Sequence, residues 1–283
     1  MREETEAMPE LPEVETVCRG LRPVLEGHRL ARVVTRRPDL RFPLPDGFGQ
    51  RLTGRMVRAV SRRAKYMLFT LDDGTTVIGH LGMSGRMRIY ETAPPPEEAH
   101  DHVIFETDAG AVIRFNDPRR FGFFDLADAG ALEAHKFFAA LGPEPLDPAF
   151  DGAALAARLK GKAAPLKAAL LDQRVVAGLG NIYVCEALHM AGLSPKRKAR
   201  TVGLARAEKL IAAVKAVLER AIAAGGSSLR DHRQPNGELG YFQHDFKVYG
   251  REGGACPACG PAHPVRRLVQ SGRSTFYCPN CQR

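Results

Sequence analysis

Residues 67–78 read Met-Leu-Phe-Thr-Leu-Asp-Asp-Gly-Thr-Thr-Val-Ile. Apolar and β-branched segments flank Asp72-Asp73-Gly74, and an Asp-Gly pair between such segments is typical of a β-hairpin turn. Residues 103–115 repeat the pattern around Asp108-Ala109-Gly110. Strands and helices do not alternate regularly between residues 30 and 126, which argues against a doubly wound parallel sheet. We therefore predict a β-sandwich with flanking helices for this part of the chain.

Helical patterns lie on both sides of the predicted sandwich. Residues 12–26 place apolar side chains at helical spacing, with Pro12 in the first turn and Gly27 at the stop. Residues 152–224 are mostly helical in pattern and end at Gly225-Gly226. The predicted fold is a multidomain α+β chain. Its parts are a β-sandwich domain at 9–127, a linker at 128–150 around Gly142-Pro143-Glu144-Pro145, a helical domain at 151–226, a polar loop at 227–246 and a small domain at 247–283.

Composition excludes several classes of protein. The chain has 283 residues, 44% hydrophobic and 26% charged, which is close to the globular average and long enough for about two domains. No run approaches the ~18 apolar residues of a membrane-spanning helix. The first six residues are polar and lack the apolar core of a secretory signal. We therefore expect a cytoplasmic protein whose six cysteines are thiols or metal ligands.

The charge is basic and unevenly distributed. Lys+Arg number 41 and Asp+Glu 32, a difference of +9. Three basic runs without an acid lie at residues 51–67, 196–200 and 256–283. One such run is commonly a solvated surface, but three in separate parts of the chain indicate a surface that follows the phosphates of a nucleic acid.

The strongest local motif is at the C-terminus. Cys256-Pro257-Ala258-Cys259 and, 18 residues later, Cys278-Pro279-Asn280-Cys281 form two knuckles that suit a tetrahedral four-thiolate site. Four thiolates close the coordination shell, so we predict one structural Zn²⁺; a rubredoxin-like iron centre shares the spacing. Residues 270–275 fall at the tip of the intervening hairpin. This tip would present Arg273 to a phosphate.

The internal Met8-Pro9 pair has two interpretations. Pro9 and Pro12 suit the entry to a helix and need no further role. Alternatively, translation begins at Met8 and the methionine is removed, which leaves Pro9 as a free secondary amine. Such an amine, with a reference pKa near ~8, attacks a sugar C1′ and forms an iminium ion. Glu10 could then protonate the sugar ring oxygen.

Six motifs in order resemble bacterial formamidopyrimidine-DNA glycosylase. They span the chain from Pro9 to Gln282, and the endonuclease VIII branch is a weaker match because its opening after the proline differs. The motifs are Pro-Glu-Leu-Pro-Glu-Val-Glu-Thr at 9–16, Arg-Arg-Ala-Lys-Tyr at 62–66, His-Leu-Gly-Met-Ser-Gly at 80–85, Asn-Asp-Pro-Arg-Arg-Phe-Gly at 116–122, Gly-Leu-Gly-Asn-Ile-Tyr at 178–183 and the cysteine hairpin.

The resemblance implies a catalytic N-terminal β-sandwich, a helix–two-turns–helix DNA-binding domain and a C-terminal zinc β-hairpin. It also implies a bifunctional enzyme that excises 8-oxoguanine and formamidopyrimidines from duplex DNA and cleaves abasic sites by β,δ-elimination. Pro9 matches the Schiff-base nucleophile and Glu10 the acid that assists sugar-ring opening. Lys65 matches the proton donor of β-elimination. Arg273 matches the arginine that grips phosphate and assists δ-elimination.

The resemblance also assigns DNA contacts. Met83, Arg119 and Phe121 match the trio that fills the gap left by a flipped base, with the arginine paired to the orphaned cytosine. Residues 227–241 correspond to a loop that closes over the flipped base, and Arg120 is taken as structural. Further expected DNA contacts are His80, His100, Lys162, Asn181 and Tyr241.

The Schiff-base chemistry requires a free amine at Pro9, because an internal proline has no nucleophilic lone pair. Seven residues precede Met8 in this sequence. If that extension is retained, the alternative is a non-catalytic zinc-hairpin protein that binds lesions or abasic sites. A glycosylase for oxidised pyrimidines is a further alternative. In each case we expect a monomer that binds double-stranded DNA and does not associate with membranes.

Overall fold

A computed structural model describes residues 8–227 and 240–283. The described chain divides into two compact units. One, here called the sandwich unit, contains 8–139 and the described part of 224–241; the other, the helix–hairpin unit, contains 140–223 and 242–283. Among these residues no helix has the length and apolarity needed to cross a membrane.

The sandwich unit consists of two four-stranded antiparallel sheets, as the sequence predicts. Their strand orders are β1-β6-β7-β5 and β2-β3-β4-β8. Helices α1 (Leu11–Leu25) and α2 (Phe48–Leu52) accompany them. The strands are β1 (Leu30–Thr35), β2 (Val57–Arg63), β3 (Tyr66–Leu71), β4 (Thr76–His80), β5 (Arg86–Tyr90), β6 (Asp101–Thr107), β7 (Val112–Asn116) and β8 (Phe123–Ala127).

Both predicted hairpins are confirmed. β3 and β4 pair around Asp72-Asp73-Gly74, and β6 and β7 pair around the second turn. Gly74 has a φ of 85°, which only glycine adopts without strain. The predicted helix at 12–26 is observed one residue earlier, and its apolar face packs into the sandwich core.

Part of the predicted linker at 128–150 belongs to the sandwich unit. The Phe137 ring stacks on Tyr66 at 5.9 Å and lies 4.7 Å from Phe123. The neighbouring Phe138 is buried and meets Tyr66 edge-on at 5.0 Å. Burial of Phe138 and the ring contacts of the half-buried Phe137 outweigh the polar character of the surrounding residues. The compact unit consequently extends to residue 139.

The helix–hairpin unit contains four α-helices followed by the cysteine hairpin. Two positive-φ glycines, Gly225 and Gly226, follow the last helix. The helices are α3 (Gly152–Leu159), α4 (Leu166–Leu171), α5 (Asn181–Met190) and α6 (Leu204–Ala223). The strands are β9 (Ala255–Cys256), β10 (Gly260–Pro264), β11 (Arg266–Gln270) and β12 (Arg273–Tyr277).

A buried carboxylate joins the helices of this unit to its hairpin. Glu186 on α5 accepts backbone N–H bonds from Lys247, Val248 and Tyr249 at 2.9, 3.0 and 2.8 Å. Burial raises the pKa of Glu186, and the three donors oppose that shift. The chain entering the hairpin is therefore fixed by hydrogen bonds as well as by apolar packing.

Candidate functional site

The start of α1 holds Pro9 and Glu10 in buried positions. Glu10 is the N-cap residue and forms a reciprocal capping box with Glu13, whose Oε2 accepts the Glu10 N–H at 3.0 Å. This arrangement fixes the backbone directly after Pro9. A nucleophile at that position is held on a rigid element.

Glu13 has a second role that the sequence analysis did not identify. Its Oε1 accepts the Ser227 N–H at 2.8 Å and the Ser227 hydroxyl at 2.9 Å. Ser227 forms an isolated β-bridge with Tyr241, so these two residues bracket the expected base-capping loop. Residues 228–239 of that loop lie outside the described residues. Ser227, where the loop begins, is thus hydrogen-bonded to the same helical turn that carries Glu10. The only sign of this contact in the sequence was an acidic residue, Glu13, in the first turn of the helix.

Lys65 lies in the two-residue turn between β2 and β3. Its side chain is buried, and the preceding Ala64 has a φ of 53°. Arg62 donates to the Ala64 carbonyl at 2.8 Å and to Glu15 Oε2 on α1 at 3.3 Å. The turn that carries Lys65 is therefore tied to the helix that carries Glu10.

His80 is a buried, neutral imidazole. Its Nδ1 accepts the Gly82 N–H at 3.0 Å, and its ring stacks on Phe123 at 5.1 Å. Burial, followed by the charges of Lys65 and Arg41, lowers the pKa of His80 from 6.5 to about 3. Nε2 then carries the proton, so His80 can offer a phosphate a neutral N–H donor. The contact between His80 and a DNA phosphate stays a prediction, with His80 as a neutral donor.

The three expected gap-filling residues line one pocket of about 630 Å³. Phe121 is 42% exposed despite its large apolar ring, and the Arg119 guanidinium lies 4.8 Å from the centre of that ring. Met8 also lines this pocket, together with Arg41 and other residues of the surrounding loops. The residue before Pro9 thus shares a cavity with Met83, Arg119 and Phe121.

Arg273 is exposed at the start of β12, after a tight turn. Ser271 and Gly272 both have positive φ, which matches the predicted hairpin tip.

Asn181, at the start of α5, donates to the Ser274 carbonyl at 3.0 Å. Asn181 Oδ1 is buried and has no hydrogen-bond partner among the described residues.

Lys167 also stabilises strand β12, a role that its sequence context did not predict. The side chain is fully buried and donates to the Ser274 carbonyl at 3.0 Å and the Thr275 hydroxyl at 2.7 Å. A lysine in a short helix gives no sequence signal for burial, since lysine is rarely buried. The residue next to Arg273 is therefore fixed by two donors from the helices of its own unit.

The predicted site residues divide between the two units. Lys162 is half-buried, and its carbonyl accepts the N–H of Arg200, within the second basic run. His100 and Tyr241 are exposed, Tyr241 at 65%. The sandwich unit holds Pro9, Glu10, Lys65, His80, Met83, His100, Arg119, Phe121 and Tyr241, and the helix–hairpin unit holds Lys162, Asn181, Arg273 and the four cysteines.

The four hairpin cysteines fit a tetrahedral zinc ion. Their sulfur atoms all lie within 4.8 Å of one another, with 3.8 Å between Cys256 and Cys281 and between Cys259 and Cys278. A Zn–S distance of about 2.3 Å gives a tetrahedral edge of about 3.8 Å. Four thiolates leave no position for a bound water, so an ion here stabilises the hairpin and does not activate a nucleophile.

Three family models cover most of the chain. The formamidopyrimidine-DNA glycosylase N-terminal domain matches residues 8–124, the H2TH domain of the same enzymes matches 141–233, and the zinc finger found in FPG and IleRS matches 253–283. The last match assigns one structural Zn²⁺ to the four cysteines and decides against the iron alternative.

Curated relatives and solved structures agree with these matches. The formamidopyrimidine-DNA glycosylases of Acidiphilium cryptum and Jannaschia sp. are 60% and 58% identical, over 98% of this chain and 100% of each relative. The MutM (Fpg) protein of Thermus thermophilus superimposes with a TM-score of 0.85 at 44% identity, covering 97% of this chain and 98% of that one. The Lactococcus lactis Fpg bound to DNA with an abasic site gives 0.87 at 33%, covering 97% and 100%.

Proposed function

The chain belongs to the formamidopyrimidine-DNA glycosylase family, enzymes that are DNA glycosylases and abasic-site lyases, and we propose that Pro9, Glu10, Lys65 and Arg273 perform this chemistry here. The substrate is double-stranded DNA that contains oxidised purines or abasic sites. The observation that carries the proposal is the pocket shared by Met8 and the three gap-filling residues. Removal of Met8 exposes the Pro9 amine beside that pocket.

The first step is attack of the Pro9 nitrogen on C1′ of the damaged nucleotide. The N-glycosidic bond breaks, the base leaves, and the amine and the opened sugar form an iminium ion. Glu10, fixed by the capping box, protonates the ring oxygen as the sugar opens. The iminium ion acidifies the C2′ proton, which passes to solvent water as the C2′–C3′ double bond forms. The C3′–O bond then breaks, its electron pair leaves with the 3′-phosphate, and Lys65 donates a proton to the departing phosphate oxygen. Arg273 holds phosphate during the second elimination.

Base flipping requires the pocket side chains. Met83 and Phe121 would occupy the gap in the base stack, and Arg119 would hydrogen-bond the orphaned cytosine. His80, His100, Lys162 and Asn181 are proposed to contact the DNA backbone. Tyr241 and residues 228–239 are proposed to cap the flipped base. One structural Zn²⁺ holds the hairpin that presents Arg273.

The active form is proposed to begin at Pro9. The N-terminal family model starts its match at residue 8, and full-length relatives align with 98% of this chain. We further propose three domains: the first, expected at 9–127, extends to residue 139 through the packing of Phe137 and Phe138, and the others are 151–226 and 247–283, with the loop at 227–246 before the last. We also propose a monomer that works on chromosomal DNA in the cytoplasm. Family membership argues against the non-catalytic zinc-hairpin alternative.

Borohydride trapping tests the nucleophile. The Met8-initiated chain and the full 283-residue chain are each incubated with an 8-oxoguanine·cytosine duplex, and intact mass defines the N-terminus of each sample. We expect a covalent adduct only in samples whose mass starts at Pro9. An adduct on a chain that retains the extension would assign the chemistry to another amine. Binding without any adduct would restore the non-catalytic alternative, and a stronger reaction on a 5-hydroxycytosine duplex would change the substrate class.

A further inference from the structure

Two loops of the sandwich unit carry the three gap-filling side chains. The first, residues 81–85 between β4 and β5, carries Met83, and the second, residues 117–122 between β7 and β8, carries Arg119 and Phe121. The loops are about 35 residues apart in sequence, so local structure alone does not place them together. Two residues that the proposed chemistry does not use, Ser84 and Asp117, join them.

Asp117 is the centre of a closed hydrogen-bond ring. Its carboxylate is fully buried; Oδ1 accepts the Ser84 hydroxyl, and Oδ2 accepts the Gly122 N–H at 2.8 Å. The Ser84 oxygen in turn accepts the Arg119 N–H at 3.2 Å. The middle of the second loop, at Arg119, and its far end, at Gly122, are thereby bound to the carboxylate of its first residue, through the serine beside Met83 and directly.

Backbone packing leaves the two loops no room to slide. Gly82 has a φ of 65°, and a Cβ on it would lie 2.3 Å from the Gly122 nitrogen and from the Phe121 carbonyl carbon. A Cβ on Gly122 would lie 2.8 Å from the His80 carbonyl oxygen. The loops therefore touch backbone to backbone on either side of the ring, where only glycine fits.

The ring is also anchored to the sheet. The Asp117 N–H donates to the His100 carbonyl at 3.0 Å, and His102 Nε2 donates to the Asp117 carbonyl at 2.9 Å. Within the second loop Arg120 has a φ of 55°, a strained value for a side chain of this size. Such a conformation persists only where its surroundings over-determine it. The ring around Asp117 provides that constraint.

We propose that Ser84 and Asp117 are positioning residues that hold Met83, Arg119 and Phe121 as one preorganised wedge. The inference rests on the proposed gap-filling role of those three residues. Insertion into DNA must offset the cost of unstacking a base step, and a wedge whose parts are already ordered loses less entropy on insertion. Ser84 and Asp117 therefore affect how fast the damaged base is displaced from the duplex, and they take no part in the covalent chemistry.

The test compares two DNA substrates in single-turnover reactions of the Met8-initiated protein. An 8-oxoguanine·cytosine duplex requires displacement of a base, whereas a single-stranded oligonucleotide with an abasic site requires only the covalent chemistry. Ser84→Ala removes both links of the hydroxyl. Thr107→Val is the matched control: Thr107 is buried in the β6–β7 hairpin, and its hydroxyl exchanges hydrogen bonds with Ala111 at the other end of the sheet.

We expect Ser84→Ala to slow base excision from the duplex about 10- to 100-fold, the effect of a small misplacement of a working group. Borohydride trapping on the single strand should change less than about 2-fold. A 2-aminopurine next to the lesion should show a smaller and slower fluorescence rise on binding. Asp117→Asn, which can still bond the Gly122 N–H and the serine, should fall between wild type and Ser84→Ala. Thr107→Val should match wild type on both substrates.

Three results would overturn the proposal: equal losses on both substrates, no loss on the duplex, or an equal loss in Thr107→Val. Two other reactions distinguish failure of this proposal from failure of the proposed function on which it rests. Wild-type protein that traps no abasic single strand lacks the proposed chemistry. A Met83→Ala, Phe121→Ala double variant with normal duplex excision lacks the proposed wedge, whatever the result for Ser84.

Discussion

The His80 imidazole stays neutral because its ring is enclosed by aromatic side chains and lies near two cations, Lys65 and Arg41. Its pKa falls from 6.5 to about 3, so below pH 6.5 the unfolded chain binds a proton that the folded chain does not. Stability should therefore fall as the pH drops through this window, by about 1.4 kcal/mol per pH unit. Burial also lowers the pKa of His102, which adds to the same trend.

His80→Gln isolates the contribution of this residue. Urea unfolding at pH 7 and pH 5 should show that wild type loses about 2 kcal/mol more than the variant over that interval. Identical losses in the two proteins would mean that His80 titrates normally in the folded state. His28, half-exposed and paired with Asp108, provides a control substitution at the surface.

Lys167→Met tests a second buried polar residue. The methionine fills a similar volume but cannot donate to Ser274 or Thr275, so the residue beside Arg273 becomes less ordered. We expect affinity for an abasic-site duplex to fall about 10-fold, or about 1.4 kcal/mol, with zinc retained. Fluorescence anisotropy measures the affinity, and Lys209→Met, at an exposed lysine of α6, is the control. Equal affinity in all three proteins would contradict the role.

At the scale of elements, the cysteine hairpin depends on its metal because β12 alone buries large apolar side chains, those of Phe276 and Tyr277, while β10 and β11 are mostly exposed. β10 is largely exposed and Val269 on β11 is 64% exposed, while the sulfur atoms occupy the corners of a tetrahedron. A metal site of this kind contributes directly to folding. The strand register that places Arg273 therefore depends on zinc as well as on the hydrogen bonds that Lys167 and Asn181 donate to Ser274.

Cys259→Ser should remove that support. Serine is a poor zinc ligand, so we expect zinc content well below one per chain and loss of DNA binding, while the sandwich unit stays folded. A chelating dye measures the zinc. Cys18→Ser, a buried thiol of α1 that bonds the Ser61 carbonyl, should keep its zinc. Full zinc content in Cys259→Ser would contradict the ligand assignment.

For the whole molecule, the charge of +9 and its three basic runs predict strongly salt-dependent binding. Each neutralised phosphate contributes about −0.9 to the slope of log affinity against log salt. Arg273→Ala should lower affinity and flatten the slope by about 0.9, and should leave zinc bound. Arg32→Ala, at an exposed arginine already paired with Glu106, should leave the slope unchanged. An unaltered slope in Arg273→Ala would exclude its phosphate contact.

The sequence alone determined the parts of this protein that depend on local pattern. Asp-Gly turns and alternating apolar residues specify hairpins through backbone conformation, and paired cysteine knuckles specify a metal site through ligand spacing. Tertiary structure decided the roles of Glu13, Asp117 and Lys167. Each is a charged residue of a type that is rarely buried, and each is buried because the fold brings it donors or acceptors distant in the chain. Burial of a charge depends on those partners, and no local pattern encodes them.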